Sequence, residues 1–178
     1  MPADGPTEAL VRAAQGGDTI AMNDLLDLLA PYVGRICGPI ALEHGPDAAQ
    51  EALTAVFRHL HTLWEPAALR GWVRRIATWE AVRVTRRAAD PSGRQAGRRG
   101  AFAAVEVADL PAPGDPSLAA DVRDVLSRLS PEHRAVLVLR DLEGLDEREA
   151  AALLSVPEST VKSRLHRARS NFRKAWTR

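Results

Sequence analysis

The chain is 178 residues long, 46% apolar but only 4% aromatic, and carries a net charge of +1. That length suits one domain or two small ones, with Leu, Val and Ala as the core material. The single cysteine, Cys37, excludes an internal disulfide and any multi-cysteine zinc site. No apolar run reaches the length of about 18 residues that a membrane-spanning helix needs. Met1 to Leu10 lacks the basic and apolar regions of a secretory signal, so the expected location is the cytoplasm, without membrane insertion.

The near-neutral total hides a block pattern. Residues 1–63 carry −5, 64–100 carry +6, 101–116 carry −3, 117–158 carry −4 and 159–178 carry +7. Two basic blocks separated by acidic ones predict two separate contacts with a polyanion.

In chain order, residues 7–17 and 18 to about 37 read as helices, with Asp18 an N-cap after Gly16-Gly17. Leu25, Leu26, Leu28, Leu29 and Val33 give the second an apolar face, and Pro31 is expected to kink or break it. Gly45-Pro46-Asp47 starts a helix to about 63 with Ala52, Leu53, Val56, Phe57 and Leu60 at helical spacing. The next, from about 67 to 87, places Leu69, Trp72, Val73 and Ile76 on one side, with Arg70, Arg74 and Arg75 away from it. By spacing alone Trp72 is a core residue. Residues 88–117 hold four prolines and four glycines and read as a linker, basic at Arg94, Arg98 and Arg99 and acidic at Glu106, Asp109 and Asp115. A helix over 116–129 follows, with Leu118, Val122, Val125, Leu126 and Leu129 as its stripe.

The last third is the most informative. Ser130-Pro131-Glu132 is a helix start, with a hydroxyl at the cap and Pro where its missing N–H costs nothing. Gly144 ends that helix, and Asp146 and Glu149 form a capping box for a short helix over 147–154. Ser155-Val156 is the turn, and Pro157 opens a third helix. There Val161, Leu165, Ala168 and Phe172 form one apolar stripe. Ser159, Ser163, His166, Arg167 and Ser170 lie opposite, flanked by Lys162, Arg164 and Arg169. A short helix, a tight turn and a second helix with a basic outer face is the pattern of a helix-turn-helix DNA reader. Phosphate loops, HExxH, paired cysteines and Gly-x-Ser-x-Gly are lacking, and His59 and His61 do not share a helix face. No enzyme activity, metal or cofactor is therefore expected.

The string from Pro157 to Arg169, PESTVKSRLHRAR, closely resembles the recognition helix of the ECF (extracytoplasmic function) group of bacterial sigma-70 family sigma factors. In that family the pattern runs approximately P-x-G-T-V-K/R-S-R-L-x-R-A-R; Ser159 stands where Gly is usual. Ser130 to Arg134 and Leu139 to Gly144 match the preceding part of the same domain. Leu69 to Ala77, LRGWVRRIA, is similar to the F-R-x-W-L-x-x-I-A run of sigma region 2. The resemblance runs from about Thr7 to Trp176. It implies an all-α fold of two small helical domains, region 2 over 7–87 and region 4 over 118–176, joined by a flexible linker over 88–117.

The function implied is promoter-specific transcription initiation with core RNA polymerase. Region 2 would hold the polymerase and open the −10 element, using Trp64, Arg70, Trp72, Arg74, Arg75 and Trp79, because melting needs aromatic faces for unstacked bases and arginines for the backbone. Region 4 would read the duplex −35 element through Ser159, Thr160, Lys162, Ser163, Arg164, His166, Arg167 and Arg169. Glu51, Thr54 and Phe57 would touch the polymerase, and an anti-sigma factor is a further expected partner. The linker, reaching roughly 100 Å when extended, spans the roughly 60 Å between two elements less than two duplex turns apart. In the family it threads near the polymerase cleft, where its acidic half could imitate RNA; a plain spacer is the other reading.

Some positions depart from the family pattern. Thr54-Ala55 replaces the usual Gln-Glu on the polymerase-binding helix, Thr78-Trp79 replaces Arg-Asn, and Arg83 replaces Asp. The first of these leaves open a stand-alone helix-turn-helix regulator with a sigma-like fold and no polymerase binding.

Overall fold

The structure is a computed structural model that describes residues 5–89 and 116–176. The expected linker lies almost wholly outside the described residues; α4 and α5 take its first and last two residues. Among the described residues all regular structure is helical: α1 (Gly5–Gln15), α2 (Thr19–Ala41), α3 (Gly45–His59), α4 (Leu69–Ala89), α5 (Pro116–Ser127), α6 (Pro131–Leu137), α7 (Glu147–Leu154) and α8 (Glu158–Trp176). They form two helical parts, α1–α4 and α5–α8.

In the first part α2 is the central rod. Asp18 caps it, its carboxylate accepting from the N–H groups of Ile20 at 2.9 Å and Ala21 at 3.1 Å. Of the kink or break expected at Pro31, the break does not occur, and the helix runs on through it. A mid-helix proline costs about 3 kcal/mol. Here Leu25, Val33, Ile36 and Ile40 are fully buried along the same helix, and each such side chain returns about 1.5–3 kcal/mol. Packing outweighs the local defect, and Pro31 itself faces solvent. Cys37 is buried in this core, its thiol 3.5 Å from the Ala77 carbonyl. Where α3 starts, a Cβ on Gly45 would sit 3.1 Å from the Gly38 Cα, so glycine is what lets the two helices touch. By length and composition alone the stretch Thr19–Thr62 could cross a membrane; its apolar residues instead form the centre of this bundle, against Val11, Leu69 and Val73.

The second part follows the predicted punctuation. The Ser130 hydroxyl accepts the His133 N–H, and α6 runs on into a π turn, Val138–Leu142. Gly144 leaves it at φ +71°. The Asp146–Glu149 capping box is formed at 2.7 and 2.8 Å. Ser155 makes the turn in the left-handed region at φ 54°, and Val161, Leu165 and Ala168 of α8 are buried. Phe172 is half-buried and stacks on Trp176, with ring centroids 6.0 Å apart. Leu118, expected on the α5 stripe, is exposed, because it lies one turn before the segment of α5 that packs; Val125 and Leu129 are buried.

The two parts pack against each other. Ala135 and Val138 of the second enter the core of the first. Between them lies Arg134, 4% exposed. Its guanidinium donates to the carbonyls of Ile40 at 2.6 Å, Leu129 at 2.9 Å and Leu126 at 3.3 Å. Ile40 and Leu126 lie in the last turns of α2 and α5, where the helix dipole favours a cation. Two further links are the Trp79 indole N–H donating to the Leu153 carbonyl at 3.0 Å and Arg86 donating to Glu132 at 2.6 Å.

Candidate nucleic-acid interface

Helix α8 is held by its buried stripe, which fixes the opposite face toward solvent. Ser159, Lys162, Ser163, His166, Arg167 and Arg169 are exposed, and Thr160 and Arg164 are half-buried. Thr160 gives its N–H to the Pro157 carbonyl at 2.9 Å, which starts the helix, and its own carbonyl accepts the Ser163 hydroxyl at 3.0 Å. Lys162 pairs with Glu147 at 3.4 Å across the turn from α7, and Arg169 pairs with Asp141. The cationic field of this face reaches His133 on α6: burial first, then Arg164 and Arg167, lower its pKa, Glu132 opposing. The predicted recognition residues are therefore brought together on one surface, with Lys162 and Arg169 already holding intramolecular carboxylates.

The first part presents its predicted residues differently. Trp64 is 98% exposed, on the short connector between a buried Leu63 and a turn at Pro66–Ala68 that Glu65 caps. Gln15 fixes the base of this connector by donating to the carbonyls of Leu60 at 2.9 Å and Leu63 at 2.7 Å. Trp72 is half-buried against the bundle core and Arg75 is exposed. Trp79 is half exposed, its N–H engaged by Leu153. On α3, Phe57 is exposed, Thr54 half-buried, and Glu51 receives Arg83 at 3.3 Å.

Arg70 and Arg74 turn toward the second part, where they meet a residue that sequence reasoning missed. Glu143, the last residue before Gly144, has no exposed side-chain surface. Its carboxylate accepts from the Tyr32 hydroxyl at 2.8 Å, Arg35 at 2.8 Å and Arg74 at 3.0 Å, with the Arg70 guanidinium 3.8 Å away. Arg35 and Arg70 also lie over the Tyr32 ring, 5.4 and 5.1 Å from its centroid. Burial pushes the Glu143 carboxyl up, but Tyr32, Arg74, Arg35 and Arg70 together outweigh it and hold the group below the ordinary carboxylate range. Burial raises the Tyr32 hydroxyl above its usual value, so it stays a donor. Tyr32 and Arg35 share a face of α2 three residues apart, as Arg70 and Arg74 do on α4 four apart, a pairing visible in the sequence; their common partner is not.

A helical bundle with an exposed indole, joined to a helix-turn-helix with a cationic outer face, defines a two-part helix-turn-helix protein. The family description "Sigma-70, region 4" matches residues 119–171. The ECF RNA polymerase sigma factor SigE of Mycolicibacterium smegmatis is 33% identical over 186 residues, covering 97% of this chain and 68% of the relative. The RNA polymerase sigma-H factor of Pseudomonas aeruginosa is 31% identical over 181 residues, 94% of this chain and 92% of that one. Two solved structures share the fold at a TM-score of 0.61. One is CnrH in complex with the cytosolic domain of CnrY, 21% identical, covering 94% of this chain and 95% of that one. The other is the sigma factor RpoE in complex with the anti-sigma factor NepR from Bartonella quintana, 20% identical, covering 87% and 96%. The chain belongs to the ECF RNA polymerase sigma factors of the sigma-70 family.

Proposed function

We infer that the chain binds core RNA polymerase and directs it to a class of promoters, with residues 7–87 and 118–176 acting as the polymerase-binding, strand-opening part and the duplex-reading part. The observation that carries this reading is α8: a helix fixed by Val161, Leu165 and Ala168 that turns Lys162, Ser163, His166 and Arg167 outward together. A helix of that kind fits the major groove. Lys162, Ser163, His166 and Arg167 face base edges or the strands beside them, while Thr160, Arg164 and Arg169 hold phosphates or the helix end. In the first part, Trp64 on its fixed connector is suited to stacking on an unpaired base, and Arg75, also exposed, to the backbone. Glu51, Thr54 and Phe57 form the polymerase contact. The chain is a regulator rather than an enzyme, acts in the cytoplasm, and has a protein antagonist of the anti-sigma kind as its counterpart.

Run-off transcription from genomic fragments of the source organism, with purified core polymerase and with the chain added or omitted, tests the reading. Transcripts from discrete start sites that need the chain are expected. If none appear and the chain fails to co-elute with core polymerase, a stand-alone helix-turn-helix regulator takes its place.

A further inference from the structure

The Glu143 site is unbalanced in a way that points to a second occupant. Three guanidinium groups, Arg35, Arg70 and Arg74, converge with the Tyr32 hydroxyl on one carboxylate. Among the described residues no second carboxylate pairs with these arginines, so the cradle keeps two positive charges in excess. It also has unused donor capacity: the buried Arg70 Nε has no hydrogen-bond partner. A carboxylate offers two oxygens, and here Oε1 takes Arg35 while Oε2 takes both Tyr32 and Arg74. A phosphodiester offers two charged oxygens plus bridging ones along a chain of repeating charge, which suits a forked cluster of guanidinium groups better than one carboxylate does.

The cradle is composed wholly of first-part residues, from α2 and α4, and its occupant comes wholly from the second part. It also contains two of the arginines expected to hold a melted strand. Glu143 can occupy it only while the two parts are packed, because the residue sits at the end of the π turn whose Val138 is buried in the first part's core.

We propose that Tyr32, Arg35, Arg70 and Arg74 form a binding site for the sugar-phosphate backbone of a single DNA strand, and that Glu143 fills this site in the packed chain. Strand binding and part-to-part packing then exclude one another, and the cradle of the free chain is held from single-stranded DNA by its own carboxylate. The proposal rests on the reading of the first part as the strand-opening part. A neutral residue at 143 lowers the barrier to exchange; an open cradle takes the strand through charges that Glu143 otherwise satisfies.

The test uses the full chain, a fluorescein-labelled single-stranded oligothymidine and low salt. Glu143→Gln keeps the side-chain shape and removes the charge. It is expected to bind the oligonucleotide roughly tenfold more tightly than wild type, within the usual range of coupling between two sites. Adding Arg35→Gln to Glu143→Gln should abolish that gain. A second measurement needs no substitution: hydrogen exchange at residues 138–145 of the wild-type chain should rise when saturating oligonucleotide is added. Unchanged affinity in Glu143→Gln, or unchanged exchange on saturation, overturns the proposal even if run-off transcription succeeds. A gain of the same size toward an oligoglutamate peptide also overturns it, by assigning the cradle to an acidic protein. Failure of run-off transcription, with the oligonucleotide gain intact, strikes the transcription reading alone.

Discussion

The two parts of this molecule treat their arginines in opposite ways. In the second, the exposed cations of α8 stand on a face that the helix's buried stripe fixes toward solvent, with Lys162 and Arg169 at its edge holding carboxylates. In the first, Arg70 and Arg74 are drawn inward onto Glu143, leaving Arg75 and the bare indole of Trp64 outside. On the function proposed above, the first of these surfaces is open to a rigid duplex and the other is engaged until the parts separate: one reader open and one closed, for the paired and unpaired forms of one polymer.

The strongest way to break this contrast is to separate the parts. Arg134→Met removes a buried cation that satisfies three carbonyls from both sides of the interface. A loss of about 3–5 kcal/mol is expected, since the carbonyls of Ile40, Leu126 and Leu129 lose their donor and an unsatisfied buried acceptor costs about 1–3 kcal/mol. Urea denaturation of the full chain measures it, and a loss confined to a few tenths would show that water replaces the guanidinium freely.

Glu143→Gln sharpens the contrast and carries a pH signature. Its cost at neutral pH should be about 1.5–3 kcal/mol, the range for hydrogen bonds to charged groups. The folded-state pKa of Glu143 is lowered, so its contribution is complete above the unfolded carboxylate value of about 4.3 and is lost as pH falls through its own lower value. Tyr32, its hydroxyl raised by burial, stays protonated across this range. Denaturation midpoints of wild type and Glu143→Gln should therefore converge in acid and remain parallel from pH 5 upward. Midpoints equally separated at every pH would mean that shape, not charge, is what the cradle holds.

On the open side, Arg167→Ala should leave folding unchanged and weaken binding to the recognised duplex by about 1–3 kcal/mol if Arg167 reads a guanine. An equal loss on random duplex would reduce it to a phosphate contact. The smallest effect is expected from Trp79→Phe, which deletes the indole donor to Leu153 and should cost about 0.5–1.5 kcal/mol in the same urea experiment.

How much of this was legible in the chain depended on distance along it. The helix-turn-helix could be read residue by residue, because the Ser130 cap, the Gly144 stop, the Asp146–Glu149 box and the α8 stripe all act within a few residues of themselves. The cradle could not: Glu143 joins Arg74, Arg35 and Tyr32 across 69, 108 and 111 residues, and no local pattern encodes a partner that far away. The unbroken helix at Pro31 was hidden for a related reason. The proline's local cost was plain, but the burial of Ile36 and Ile40 that overrides it is a property of the assembled bundle. At Ser155 the turn itself was legible, whereas the left-handed backbone that a non-glycine adopts there was not.

Cys37 gives the bundle its own clock. Burial, with Glu80 adding to it, pushes this thiol up to about 12, so almost none of it is thiolate at neutral pH. An alkylating reagent can consume it only in the moments when α2 and α4 come apart. Because Cys37 is the sole cysteine, the rate at which the native protein loses its thiol to reagent in large excess, fast enough to outpace reclosing, counts those openings. Comparing that rate with and without core polymerase would show how often the closed bundle breathes while it works.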